Sequence, residues 1–217
     1  MNEKELIASR AAALLRPGWV VNLGIGIPTM VTRFVDRDSV WFQTENGLLG
    51  VGPPPEPDRL DPNLVDAGKR PVTERPGASY FDSATSFAMI RGGHVDAVVL
   101  GALQVDERGR VANWAIPGEP VLGVGGAMDL MSGARNVIVV MTHTAKDGSS
   151  KLVRECSLPL TSLRPVTWIV TELATFQADG AGLALVECAP GVSPETVRAK
   201  TAARYRELVP RGRDGAA

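Results

Sequence analysis

Glu45 ends the run Val40-Trp41-Phe42-Gln43-Thr44, whose aromatic and branched residues have strand character, and Asn46-Gly47 then turns the chain. An acid at the carboxyl end of a strand stands where α/β folds place ligand sites. The triplet alone is more simply read as a turn carboxylate in water, since turns collect such residues. A second cluster, Val124-Gly125-Gly126-Ala127-Met128-Asp129, lacks bulk ahead of a short helix, so a ligand can reach backbone amides that stabilise negative charge. It reads either as an anion or oxyanion site or as a tight turn in which glycine supplies positive φ. Gly24-Ile25-Gly26-Ile27-Pro28 is a partial glycine fingerprint without the third glycine of the dinucleotide motif.

The remaining reactive side chains point less sharply. His94 follows a Gly-Gly helix stop and His143 follows a buried strand, so each is a candidate general base in an ordinary setting for a structural histidine. Cys156 and Cys188 form neither a C-x-x-C pair nor a zinc-type cluster with those histidines, and they read as small apolar residues. No metal site is expected. The sequence holds no Gly-x-Ser-x-Gly elbow, P-loop or His-Glu-x-x-His motif.

The elements that must position these residues follow from periodicity and punctuation. Leu6, Ile7, Ala11, Leu14 and Leu15 mark one face of a helix over 3–15, stopped by Pro17-Gly18. A strand at 19–23, a glycine loop and a helix at 29–35 come next, and the strand 40–44 then delivers Glu45. Prolines 53, 54, 55, 57 and 62 keep 52–62 out of regular structure, as a surface loop and candidate lid. Asp82 or Ser83 caps a helix to Ile90. Strands are expected at 96–103, 111–116, 136–141, 167–172, 174–177 and 183–188, with a hairpin turn at Asp179-Gly180, and Ser193-Pro194-Glu195 opens a helix to about Leu208. Val and Ile runs without alternation suit strands covered on both faces. The fold class is α/β, an open mixed, largely parallel sheet with flanking helices.

The 217 residues predict a single domain over 1–209 and a flexible tail over 210–217. At 44% hydrophobic and 22% charged, the chain has the composition of a globular protein with a substantial core. Lys and Arg total 23 against 24 Asp and Glu, so the net charge of -1 creates no field toward nucleic acid or anionic lipid. Met1 to Arg10 lacks the apolar run of a signal peptide, and no stretch approaches the ~18 apolar residues of a membrane span. The expectation is a cytoplasmic protein with reduced thiols and neither nucleic-acid nor membrane partners.

Phe42-Gln43-Thr44-Glu45-Asn46-Gly47-Leu48-Leu49-Gly50 resembles the active-site signature of class I coenzyme A transferases, in particular the B (beta) chain of 3-oxoacid CoA-transferases. Further motifs agree in order: Gly68-Lys69-Arg70-Pro71-Val72-Thr73, Phe81-Asp82-Ser83-Ala84, Ile90-Arg91-Gly92-Gly93-His94, Ala112-Asn113-Trp114, Gly125 to Leu130, Lys146-Asp147-Gly148 and Ala189-Pro190-Gly191. The likeness runs from Ala8 to Tyr205. Thr44 stands where the family usually has serine, and Thr142 where an acid often precedes the histidine.

The resemblance implies that Glu45 is the catalytic nucleophile, with oxyanion or CoA-binding roles at Asn46, Gly125, Gly126 and Ala127. It implies ping-pong transfer of CoA, most simply from succinyl-CoA to acetoacetate, through a glutamyl-CoA thioester. 3-Oxoadipate and short-chain fatty acids are the alternative acids. CoA is then a substrate and no tightly bound cofactor is expected, while a distinct CoA-transferase A (alpha) subunit would complete an A2B2 assembly. Two other readings keep the fold: a non-catalytic protein that binds CoA or a sugar phosphate, and an acyl-CoA hydrolase using the same glutamate.

Overall fold

The computed structural model describes residues 1–36, 38–66, 68–118 and 123–209. In chain order its strands are β1 (Val20–Leu23), β2 (Trp41–Thr44), β3 (Leu48–Val51), β4 (Glu74–Tyr80), β5 (Ala97–Gly101), β6 (Gln104–Asp106), β7 (Val111–Ala112), β8 (Asn136–Val140), β9 (Leu152–Val153), β10 (Trp168–Val170), β11 (Ala174–Asp179), β12 (Gly182–Cys188) and β13 (Tyr205–Glu207). The helices are α1 (Glu3–Ala12), α2 (Ile27–Met30), α3 (Ser83–Arg91), α4 (Ala127–Gly133) and α5 (Pro194–Lys200).

Among the described residues, ten strands form one sheet in the order β13-β12-β11-β10-β8-β5-β1-β2-β3-β4, and β7-β6-β9 form a small second sheet. The centre of the large sheet, β10-β8-β5-β1-β2, is parallel throughout. Antiparallel strands extend it on both sides, β3 and β4 beyond β2 and β11 and β12 beyond β10. This is the expected open, mixed α/β sheet.

Both faces of the central strands are covered. Ala97 and Val99 of β5 pack with Ile7 and Ala11 of α1, while Val98 and Leu100 pack on the other face with Ile90 of α3 and Leu130 of α4. Continuous Val and Ile runs are therefore needed where an exposed sheet would alternate, and each fully buried branched side chain stabilises the fold by about 1.5–3 kcal/mol. Asn2 caps α1, its side chain accepting from Glu5 N–H while the Glu5 carboxylate accepts from Asn2 N–H.

Several boundaries differ from those the sequence suggests. Helix α1 stops at Ala12, before Leu14 and Leu15. Residues 29–35 form no continuous helix: α2 gives way to a 3-10 turn at Val31–Arg33. The strand expected over 111–116 is only β7. Helix α5 ends at Lys200, not near Leu208. Thr201 Oγ1 donates to Val197 O, and the Ala202 and Ala203 amides donate to Leu152 O, so the chain leaves the helix and returns as β13 beside β12. Tyr205 meets Phe176 edge-on there, with ring centroids 5.3 Å apart. β3 and β4 are strands that the sequence pattern does not announce. The expected tail over 210–217 lies outside the described residues.

Candidate active site

Glu45 directly follows β2, and the turn after it is fixed at close quarters. Gly47 has φ +121, and a Cβ there would overlap the Phe81 carbonyl, so only glycine fits. Gly47 N–H donates to Thr44 O (3.1 Å), and Phe81 N–H donates to Gly47 O (3.0 Å). Asp82 then starts α3 by accepting from Thr85 N–H at 2.7 Å. Below the turn, Asn22 and Gln43 are paired across β1 and β2. Asn22 Nδ2 donates to Gln43 Oε1 (2.6 Å) and Gln43 Nε2 donates to Ser86 Oγ (2.8 Å), all three residues being buried. Sequence reasoning misses this polar chain. Its only local signal is an amide residue inside each of two apolar strand runs.

The glycine cluster reaches the carboxylate. The Gly126 backbone lies against the Glu45 carboxylate, where its amide favours the charged form, and a Cβ at Gly126 would lie 3.1 Å from Glu45 Cδ and Oε2. Burial raises the Glu45 carboxyl above its ordinary value, and the Gly126 amide offsets part of that rise. The arrangement is a partly desolvated carboxylate beside one amide that can follow charge as it moves onto the carboxylate oxygens. Gly125 has φ +54, while Ala127 N–H is turned to Val124 O at 3.3 Å. Asn46 is exposed, and its side-chain amide donates to Val65 O (3.0 Å), bracing the loop after the proline segment. Of the five residues singled out from the sequence, Glu45 and Gly126 are in contact, Gly125 adjoins Gly126 in the chain, and the hydrogen bonds of Asn46 and Ala127 go elsewhere.

A cavity of about 580 Å³ lies between α2, β2 and the proline loop, lined by Leu23, Met30, Phe42, Thr44, Leu60 and Val72 among others. Phe42, which packs in the core layer of α1, and its neighbours Gln43 and Thr44 all line this space. Thr44 is 8% exposed, and its Oγ1 is buried without a hydrogen-bond partner. The proline loop has one 3-10 turn, Pro57–Arg59, and is pinned at its start by Gly52 N–H to Thr73 O (2.6 Å).

His143 is fully buried, with Nδ1 3.0 Å from Thr171 Oγ1 and Nε2 2.9 Å from Thr201 Oγ1. Burial, aided by Lys200, lowers its pKa to about 4, so the ring is neutral and takes one of these bonds from a threonine hydroxyl. Both ring nitrogens are engaged, which makes it a structural residue. The unfolded chain protonates this histidine near 6.5 and the folded chain only near 4. Its contribution to stability is therefore complete above about pH 6.5 and is lost as pH falls toward 4, on the order of 3 kcal/mol in all. Urea unfolding between pH 4.5 and 7 should show a flatter pH dependence in His143→Asn than in the parent; equal slopes would exclude this assignment.

His94 is exposed beyond α3. Both cysteines are free, and burial pushes the Cys156 thiol up to about 11, away from nucleophilic chemistry. Among the described residues, no group of three or more His, Cys, Asp or Glu side chains is placed to hold a metal ion, and no helix is long and apolar enough to cross a membrane.

The sequence profile of the family described as Coenzyme A transferase matches residues 4–200. The chain belongs to that family. Among CoA-transferase relatives it is 52% identical over 206 residues to the beta subunit of the acetate CoA-transferase of Escherichia coli K12, covering 94% of each chain. It is 49% identical over 202 residues to the B subunit of the succinyl-CoA:3-ketoacid coenzyme A transferase of Helicobacter pylori strain 26695, covering 93% of this chain and 98% of that one. The solved acyl-CoA transferase apoenzyme of Escherichia coli O157:H7 has the same fold, with a TM-score of 0.77 at 24% identity. That likeness covers 95% of this chain but 42% of the longer one, so this CoA-transferase chain spans less than half of that polypeptide.

Proposed function

We propose that this chain is the catalytic B subunit of a 3-oxoacid CoA-transferase, moving CoA from succinyl-CoA to acetoacetate through a thioester on Glu45. The observation that carries this reading is the partly buried Glu45 carboxylate lying against the Gly126 backbone at the end of a sheet strand. Glu45 attacks the acyl-CoA carbonyl, and the CoA thiolate leaves an acyl-glutamyl anhydride. The thiolate then attacks the glutamyl carbonyl, the donor acid departs, and CoA remains on Glu45 as a thioester. The acceptor carboxylate attacks that thioester to form a new anhydride, and the thiolate returns to its acyl carbonyl, restoring Glu45. A carboxylate suits the task because each acyl intermediate keeps the free energy of the thioester, which a serine ester would lose.

When thiolate or acceptor attacks the glutamyl carbonyl, negative charge builds on an oxygen of the Glu45 side chain. Gly126 N–H is suited to stabilise that oxyanion, and one such donor is worth about 3 kcal/mol. Gly125 is the adjoining candidate donor. The relatives are named as beta and B chains, which supports a separate A-type partner, and an A2B2 assembly is the simplest closed form.

The relative named for acetate favours a second reading, in which the acceptor is a short-chain fatty acid. Co-expression with the A-type partner, followed by CoA exchange from succinyl-CoA to acetoacetate, acetate and 3-oxoadipate, decides between them. Faster exchange with acetoacetate and ping-pong kinetics are expected. Preference for acetate would reassign the substrate, and CoA release without acid dependence would make the protein a hydrolase.

A further inference from the structure

Gln43 precedes the nucleophile by two positions and lies between two other buried polar side chains, its Oε1 accepting from Asn22 Nδ2 and its Nε2 donating to Ser86 Oγ. Apolar residues of similar volume would fill this space without loss of stability, since hydrogen-bonded polar groups in a core gain little over well-packed apolar ones. Hydrogen bonds do, however, set direction and separation where apolar contacts tolerate sliding. The separation set here is that between the end of β2 and α3.

Helix α3 also braces the opposite side of the site. Near its end, Arg91 Nε donates to Asp129 Oδ1 of α4 at 2.7 Å. Gly133 of α4 faces the Ile90 carbonyl so closely that a Cβ would overlap it, which allows the two helices to approach. α4 starts from Gly126, whose backbone lies against the Glu45 carboxylate. Contacts therefore close a ring from Glu45 down β2 to Gln43, through Ser86 and α3, across to α4, and back through Gly126.

We propose that Gln43, clamped by Asn22 and Ser86, is a positioning residue that fixes the Glu45 carboxylate against the Gly126 amide. The proposal rests on the reading of Glu45 as the covalent nucleophile. Gln43 touches no reacting atom; loosening it frees the end of β2 from α3 and misplaces the carboxylate, leaving CoA binding intact.

The test uses Ser86→Ala and Gln43→Leu in the complex with the A-type partner, with kcat, KM for acyl-CoA, melting temperature and the single-turnover rate of CoA attachment to Glu45 measured for each. Expected losses in kcat are about 100-fold for Gln43→Leu, the scale of a misplacement near 1 Å, and about 10-fold for the milder Ser86→Ala. KM should stay within about two-fold, and CoA attachment should slow by the same factor as kcat. Unchanged attachment rates per folded molecule, losses that follow only the unfolded fraction, or a raised KM at constant kcat would each overturn the proposal. A parent complex that forms no CoA adduct on Glu45 sinks the functional reading and the proposal together. A parent that forms it at the same rate as both variants sinks the proposal alone.

Discussion

Glu45→Gln, purified with the A-type partner, should lose CoA exchange by roughly four orders of magnitude or more, the scale on which removal of a covalent nucleophile acts. An amide oxygen cannot form the anhydride. Acyl-CoA without acceptor should leave CoA attached to the parent in a form that borohydride reduces, with peptide mapping to Glu45; the variant should carry none. The substitution should also stabilise the fold at neutral pH. The folded-state pKa of Glu45 is raised, so the fold prefers the protonated form, and the penalty for the charged form develops as pH rises through the ordinary carboxylate range. Gln is neutral at every pH and escapes it. Exchange by the parent should fall on the acid side with an apparent pKa above that of an ordinary glutamate. Substantial turnover by Glu45→Gln, with deamidation excluded by mass measurement, would remove Glu45 from the mechanism.

Much of this site was legible because local signals and tertiary demands coincide at its ends. The aromatic and branched run before Glu45, the Asn46-Gly47 turn and the cap at Asp82 are short-range features, and each appears where its chemistry predicts. The parallel centre was legible for a related reason: Asn136 to Val140 and Ala97 to Leu100 have no polar face, which only a strand covered on both sides tolerates. β4 hides in Glu-Arg-Pro-Gly-Ala-Ser-Tyr, a poor strand sequence with a proline and a glycine at positive φ. It is strand because β3 offers a free edge, and Arg75 stacks over Trp41 with its guanidinium 4.1 Å from the ring centroid. β13 hides behind helical spacing that is cut short by Thr201 and the Leu152 carbonyl. The bond from Gln43 to Ser86 and the contact from Glu45 to Gly126 join segments far apart in sequence, and no periodicity encodes such pairs.

Gly126→Ala and Gly125→Ala should fail in opposite ways, and the contrast tests how the glycine loop serves Glu45. Gly126 has φ −80 and ψ 0, values an alanine adopts without strain. The nearest atoms crowding a methyl there are those of the Glu45 carboxyl, at 3.1–3.2 Å. A carboxyl at the end of a flexible side chain yields easily, so the melting temperature should barely move. The displacement nevertheless draws the carboxylate off its amide and out of line with the thioester, for an expected kcat loss of about 100-fold or more. Gly125 has φ +54, and a methyl placed there would meet no atom within 4 Å, so the cost is backbone strain of about 1–2 kcal/mol. Gly125→Ala should lower the melting temperature measurably and reduce kcat less than Gly126→Ala does. Thermal melts and exchange rates on both variants check this. If Gly126→Ala retains full turnover, the crowding methyl leaves the Glu45 carboxyl in working position, and neither the absence of a side chain at 126 nor the close fit of the carboxyl against this loop limits the reaction.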